Sequence, residues 1–170
     1  MDEGRHAGWA PGRVRREDAV KAVVQRIRRA SVRVDGKTVG SAGRGILILV
    51  GVQNGDAGTD SKWLSEKCLH VRIFENDDGR FDRSVLDVRG DILAVSQFTL
   101  LGSCSSGRRP DFTEAARPDQ AEPLFGRFVD SLRESGLPVA TGIFRARMDV
   151  ELVNDGPVTV ILDSRERGLR

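Results

Sequence analysis

Cysteine and histidine occur only twice each in the 170 residues. Cys68 and Cys104 stand 36 positions apart, with no CxxC spacing and no neighbouring Cys or His to complete a zinc set. A disulfide framework is therefore not expected, the reducing cytoplasm is the expected compartment, and both thiols read as small packing groups. Of the two histidines, His6 lies in a charged N-terminal segment and only His70 in a segment with folding periodicity. That leaves no HExxH pair, and a Ser-His-Asp triad would depend on His70, which has no signature around it. Long apolar runs are missing too. Gly45 to Val52 is the longest uncharged one, far short of the roughly 20 residues of a membrane-spanning helix. No charge sign dominates: 27 basic against 25 acidic residues leave +2, so any nucleic-acid contact must come from local clusters.

What is present is the material of one domain: 39% hydrophobic and 31% charged residues over 170 positions. Residues 1–19 stand apart. They balance four acids (Asp2, Glu3, Glu17, Asp18) against four arginines (Arg5, Arg13, Arg15, Arg16) without apolar periodicity or a signal-peptide core. This segment is expected to be a disordered arm or a start-site extension, followed by a single domain over 20–164 and a charged tail over 165–170.

Within that domain Val20–Ile27 and Ser31–Val34 read as strands, and Asp35-Gly36 as a tight hairpin turn returning through Thr38–Gly40. Ile46–Val52 has the continuous apolar character of a strand covered on both faces. Thr59 and Asp60 offer N-caps to a helix whose buried stripe is Leu64, Cys68 and Val71. His70 sits off that stripe, where a solvated or locally bonded role is expected. Asp91–Thr99 reads as a strand, and 101–118 as a long irregular stretch. A second helix begins near Pro118, repeats Ala121, Leu124, Phe125, Phe128, Val129 and Leu132, carries Pro123 in about its first turn and is stopped by Gly136. Met148–Leu152 alternates as a half-buried strand, Asn154–Pro157 turns the chain, and Val158–Leu162 closes it. Two helices and about seven strands make a mixed α/β domain.

Two features are candidates for chemistry. Ser96-Gln97-Phe98-Thr99 ends a buried strand, where side chains and backbone N–H groups can face a cleft. Gly156-Pro157 sits in a turn between strands. Each alone is ordinary. Together with Val20–Ile27, Arg29–Val32, Arg72–Glu75, Gly107-Arg108-Arg109-Pro110 and Asn154–Thr159, in this order, they make the chain resemble the D-aminoacyl-tRNA deacylase family from Val20 to about Ser164.

The resemblance implies a mixed, largely antiparallel α/β fold with a β-barrel-like sheet and two main flanking helices. It implies a homodimer acting on the 3′ end of aminoacyl-tRNA, with no metal or cofactor and no membrane. The activity implied is hydrolysis of the ester of a D-amino acid, or of wrongly attached glycine, on the terminal adenosine. Ser96, Gln97, Phe98 and Thr99 match the catalytic signature; Asn154, Gly156, Pro157 and Thr159 match the second. The Gly-Pro peptide, cis in the family, would enter the partner subunit's pocket and reject L-amino acids. Arg26 matches the arginine that braces this turn, Phe144 and Met148 the surroundings of adenosine and amino acid. Arg108 and Arg109 are candidate tRNA contacts, and Arg26, Arg28, Arg29 and Arg33 form a second basic cluster.

The chemistry is consistent with these residue types. Backbone N–H groups at Phe98 and Thr99, with the Ser96 or Gln97 side chain, suit an oxyanion. No side chain is a convincing base, and in the family reading the substrate's ribose 2′-OH fills that gap. Thr99 as a covalent nucleophile is the competing reading, disfavoured because no base adjoins it. An L-specific editing relative and a catalytically silent tRNA-binding module are the alternatives in function; Ser96 and Phe98 match the D-specific branch. Three departures from the family pattern stand out: Ser106 where lysine is usual, Arg145 where glycine is common after Phe144, and Phe81-Asp82 where Met-Asn is frequent. The first is expected to remove a tRNA contact and the second to narrow the adenosine site. A chain beginning at Val20 is expected to keep its melting cooperativity and its deacylation rate; thermal melts and initial rates check this, and loss of either would put residues 1–19 inside the domain.

Overall fold

A computed structural model describes residues 20–167; residues 1–19 and the end of the tail, 168–170, lie outside the described residues. Its organising element is a single 14-residue strand, β1 (Lys21–Val34), where two strands are expected. Arg28 and Arg29 interrupt the apolar pattern but not the backbone, because the residues flanking them are paired on both edges: Ile27 lies opposite Gly45 and Asn154, and Ala30 opposite Ala42 and Leu152. Asp35 and Gly36 both take positive φ, 50° and 74°, as the anticipated tight turn requires. The chain returns as β2 (Lys37–Ala42) and β3 (Gly45–Gly51), which pair with the two halves of β1, Ala42 opposite Ala30 and Gly45 opposite Ile27, with a shift of register between Val32 and Arg33 in the β2 half.

Strand β3 then pairs in parallel with β6 (Asp91–Ser96), and β6 with β7 (Val139–Thr141). The last strand, β8 (Asp149–Asp163), runs antiparallel along the other edge of β1. The sheet curls until β7 lies against β2, so a methyl group on Gly40 would come 2.3 Å from the Thr141 carbonyl oxygen. The result is a mixed α/β fold with a nearly closed, barrel-like sheet. A separate ribbon pairs β4 (Phe74–Glu75) with β5 (Phe81–Arg83). Two helices, α1 (Gly58–His70) and α2 (Pro118–Arg133), cover one face. Ile46, Ile48 and Val50 pack towards the helix-side core with Leu64, Cys68 and Phe128; Leu47 joins Ile27, Val32 and Leu93 in the core on the opposite face. Two cores explain the unbroken apolar run of β3.

Several local expectations change. Helix α1 starts at Gly58 with Ala57 as N-cap, and Asp60 serves as its third residue, accepting the Ala57 N–H at 3.0 Å. Val71 falls just beyond the helix but still packs on its core. Cys68 is buried, and burial pushes its thiol pKa up, whereas Cys104 is exposed, against the packing role expected of it. His70 is exposed and its Nδ1 lies 2.8 Å from the Glu66 carbonyl, a local bond as anticipated. Pro123 sits a turn deeper in α2 than expected, at its sixth residue, on the exposed face. Strand β6 ends at Ser96 rather than Thr99, because Leu100 N–H turns back to Gln97 O and starts a 3-10 turn over Phe98–Leu101. Strands β4, β5 and β7, of two to three residues, are too short to show a period.

Glycines make opposite predictions at two positions. At Gly45 a methyl would stand 1.9 Å from the Asp91 carbonyl oxygen, so Gly45→Ala is expected to force β3 and β6 apart and lower the urea midpoint. Gly126, inside α2 with nothing within 4 Å of a built Cβ, is expected to gain about 0.5–1 kcal/mol on replacement by alanine.

Candidate active site

At the C-terminal ends of the parallel strands β3 and β6 opens a cavity of about 650 Å³. Ser96, Gln97 and Phe98 line one part of it, Phe144, Arg145 and Met148 another. Three of the four residues of the expected catalytic signature, Ser96, Gln97 and Phe98, and the expected adenosine and amino-acid contacts Phe144 and Met148 are thus brought to one place. The long stretch after the 3-10 turn folds back to complete the wall. Ala116 N–H bonds the Val52 carbonyl at 2.9 Å, and Phe112 packs edge-on against Phe98 with ring centroids 5.1 Å apart. On the far side Phe144 leans on Phe125 of α2, centroids 6.3 Å apart. Met148 is held over Gly142, where a Cβ would stand 2.5 Å from its sulfur.

Ser96 and Gln97 are half-buried, whereas Phe98 is 55% exposed at the rim. Thr99 is exposed and outside the lining, and its hydroxyl accepts a hydrogen bond from Gln97 Nε2. The backbone here leaves the ladder: Gln97 N–H still bonds Val50 O at 2.7 Å, but the next N–H to bond within the turn is that of Leu100. Phe98 and Thr99 occupy the first positions of a 3-10 turn, whose leading N–H groups have no partner inside the turn. No Asp, Glu, His, Lys or Cys lines the cavity. In the covering loop the Asp111 carboxyl is held below the usual carboxylate range by the Thr113 hydroxyl and N–H.

The second signature is not a turn between strands but a bulge inside β8. Thr159 faces Gln25 and Asn154 faces Ile27, so three extra residues loop out opposite Arg26. Asn154 closes the bulge on itself: its Oδ1 accepts the Val158 N–H at 2.7 Å, and its Nδ2 reaches Val158 O and Thr159 Oγ1, each at 3.2 Å. The Gly156-Pro157 peptide is cis, and Gly156 has φ +140°. Both residues are exposed. Neither they nor Asn154, Thr159 or Arg26 line the cavity of their own chain.

Arg26 is 7% exposed and braces this bulge. Its Nε donates to Asp155 O and its Nη1 to Ile73 O, each at 2.8 Å; Glu75 and Asp155 carboxylates lie at 3.7 and 3.6 Å. The guanidinium also sits 5.6 Å from the Phe81 ring centroid, which gives the departure at Phe81 a local packing role. Arg28 pairs with Asp155 at the surface. Arg108 and Arg109 are exposed near the tip of the 103–111 loop, whose base is closed by paired bonds between Ser103 and Asp111. The sequence reading missed Phe112, Arg117, Pro118 and Ala121 as lining residues. An aromatic in a long loop and a Pro-started helix were the available signals, but nothing local says that they return to β3 and β6.

The model of the family described as D-Tyr-tRNA(Tyr) deacylase matches residues 23–163. The chain is 59% identical to the D-aminoacyl-tRNA deacylase of Geobacter sulfurreducens, over 87% of this chain and 97% of the relative. It is 51% identical to that of Thermus aquaticus, over the same shares. Among solved structures it is similar to one described as a c-Myc DNA unwinding element binding protein, with TM-score 0.79 and 41% identity over 84% of this chain and 97% of that one. A probable eukaryotic D-amino acid tRNA deacylase shares the fold at TM-score 0.74 and 21% identity, over 85% and 99% of the two chains. The chain belongs to the D-Tyr-tRNA(Tyr) deacylase family and is a hydrolase of that family.

Arg26→Ala would leave the Asp155 and Ile73 carbonyls without a donor, and is expected to cost about 2–4 kcal/mol in urea unfolding. Arg26→Lys is expected to recover only part, since an ammonium lacks the planar fork that reaches two carbonyls at once.

Proposed function

We propose that the protein hydrolyses the ester between a D-amino acid, or glycine, and the 3′-terminal adenosine of tRNA, and rejects L-aminoacyl-tRNA. The observation that carries this reading is a cavity lined by the signature residues Ser96, Gln97 and Phe98 but by no side chain able to act as a base. In this mechanism the protein orients and polarises, and the substrate's own ribose 2′-OH assists the attacking water. Water adds to the ester carbonyl, the resulting oxyanion is met by the N–H groups of Phe98 and Thr99, and the bond to the ribose oxygen breaks to release free amino acid and tRNA. Thr99 serves as a polar neighbour of Gln97, not as a nucleophile. Phe144 and Met148 contact the adenosine and the amino acid.

Chirality would be read by a second copy of the chain. The Gly156-Pro157 bulge is exposed, stiffened by Arg26 and Asn154, and lies outside the cavity of its own protomer; a homodimer would bring it to the partner's cavity. A main-chain surface discriminates by clash, so it refuses an L side chain while accepting many D side chains. Arg108 and Arg109 would meet tRNA phosphate. An L-specific editing activity is the second reading, disfavoured by Ser96 and Phe98.

Matched D- and L-aminoacyl-tRNA test the assignment: free amino acid is expected from the D ester and not from the L ester. A D-aminoacyl-tRNA lacking the terminal 2′-OH is expected to be nearly inert. Normal turnover of that deoxy substrate, or a trapped acyl group on Thr99, would overturn the mechanism. Gly156→Ala is expected to depress hydrolysis of every D substrate. Because its methyl would also lie 2.7 Å from Val158 Cγ2, a melting curve accompanies that assay.

A further inference from the structure

Only two of the residues lining the cavity carry charge, Arg117 and Arg145, and the mechanism above uses neither. Arg145 is the third residue of a turn closed by Ala146 N–H to Ile143 O at 3.2 Å, and its φ is +64°. A turn of this kind favours glycine at that position. The chain instead holds there an exposed arginine that makes no hydrogen bond or ion pair with any described residue. Arg117 is the N-cap of α2 and its side chain is 82% exposed. Its ion pair among the described residues is with the exposed Asp119, through Nε at 3.6 Å, a contact that water screens.

Both arginines therefore line a largely apolar cavity that is also lined by Pro118, the first residue of the 16-residue helix α2. The positive end of the helix dipole adds to the same region. A cavity of this character suits a ligand with an aromatic or apolar body and an anion at one end. An aminoacylated nucleoside supplies the body but no anion. The anion comes from the phosphodiester that joins the terminal nucleoside of an RNA to the nucleotide before it.

We propose that Arg145 and Arg117 bind this phosphodiester, so that the cavity distinguishes an ester carried on an RNA end from the same ester on a free nucleoside. The proposal rests on the deacylase reading. Arginine suits the role because its planar fork can engage two phosphate oxygens together. The two residues are binding and positioning groups, acting on where the ester sits and not on its chemistry.

The test compares two substrates, a D-aminoacyl-tRNA and the D-aminoacyl ester of adenosine without phosphate. The enzymes are the full-length wild type, Arg117→Ala, Arg145→Gly, the double variant and Arg145→Lys. The double variant is expected to lose about tenfold in kcat/KM on the tRNA ester, through KM, and to lose most of the preference for it over the adenosine ester. The log–log salt dependence of KM is expected to become shallower by about 0.7, the value for one single-stranded phosphate released from contact. Arg145→Lys is expected to keep part of the preference and of the salt slope. Glycine relieves the left-handed backbone at 145, so a melting curve no lower than that of the wild type is expected for Arg145→Gly. An unchanged substrate preference, or equal losses on both esters, would overturn this proposal alone, the first showing no contact and the second a change in cavity shape. A wild type inactive on both esters would overturn the deacylase reading and this proposal with it.

Discussion

The fold turns on how β1 is paired. Its two edges are both occupied along most of its length, but β8 has three more residues than β1 can match between Gln25 and Ile27. Backbone groups in the looped-out segment lose their ladder partners, and at its part-buried base, the Asp155 carbonyl, a missing partner is costly. Arg26, the residue facing the gap, supplies what the ladder cannot. Its guanidinium bonds the Asp155 carbonyl in the bulge and the Ile73 carbonyl before β4, and lies close to the Glu75 carboxylate. One buried side chain thus joins the central strand, the bulge and the small two-stranded ribbon. Asn154 completes the arrangement from within the bulge.

The second organising fact is the parallel pairing of β3 with β6. Parallel strands release their chains at the same end, and in open α/β sheets that end is where clefts form. Here the release places Ser96 and Gln97 beside Val52, and the loop that follows is tied back by Ala116 to close the cavity. The lining is apolar apart from Ser96, Gln97 and the two rim arginines. The chain belongs to a hydrolase family whose relatives match over nearly their whole length, and none of the side chains lining this cavity is a carboxylate or an imidazole.

Much of this was legible in the residues. The positive-φ pair Asp35-Gly36 marked its hairpin, the uninterrupted run of β3 announced two covered faces, and the helical repeat from Ala121 to Leu132 was read as it stands. Where local reading failed, pairing or packing overrode it. Arg28 and Arg29 look like a break between strands but stay extended because Ile27 and Ala30 on either side of them are paired on both edges. Asn154–Pro157 has turn chemistry yet bends within one strand, because the partner on each side of the bulge is the same strand β1. Cys104 has the composition of a packing residue but lies in a loop that leaves it in solvent.

The sequence by itself determined the parts and their family: helix and strand material, and two signatures in order. Those follow from residue types and short spacings, which need no knowledge of distant neighbours. Only the tertiary structure decided that the two signatures occupy different places, one lining a cavity and the other projecting from β8 outside it. It alone brought Phe112 and Arg117 to the cavity that Arg145 also lines. Such meetings depend on strand order and on where a long loop is tied back, and both are set by hydrogen bonds between residues dozens of positions apart.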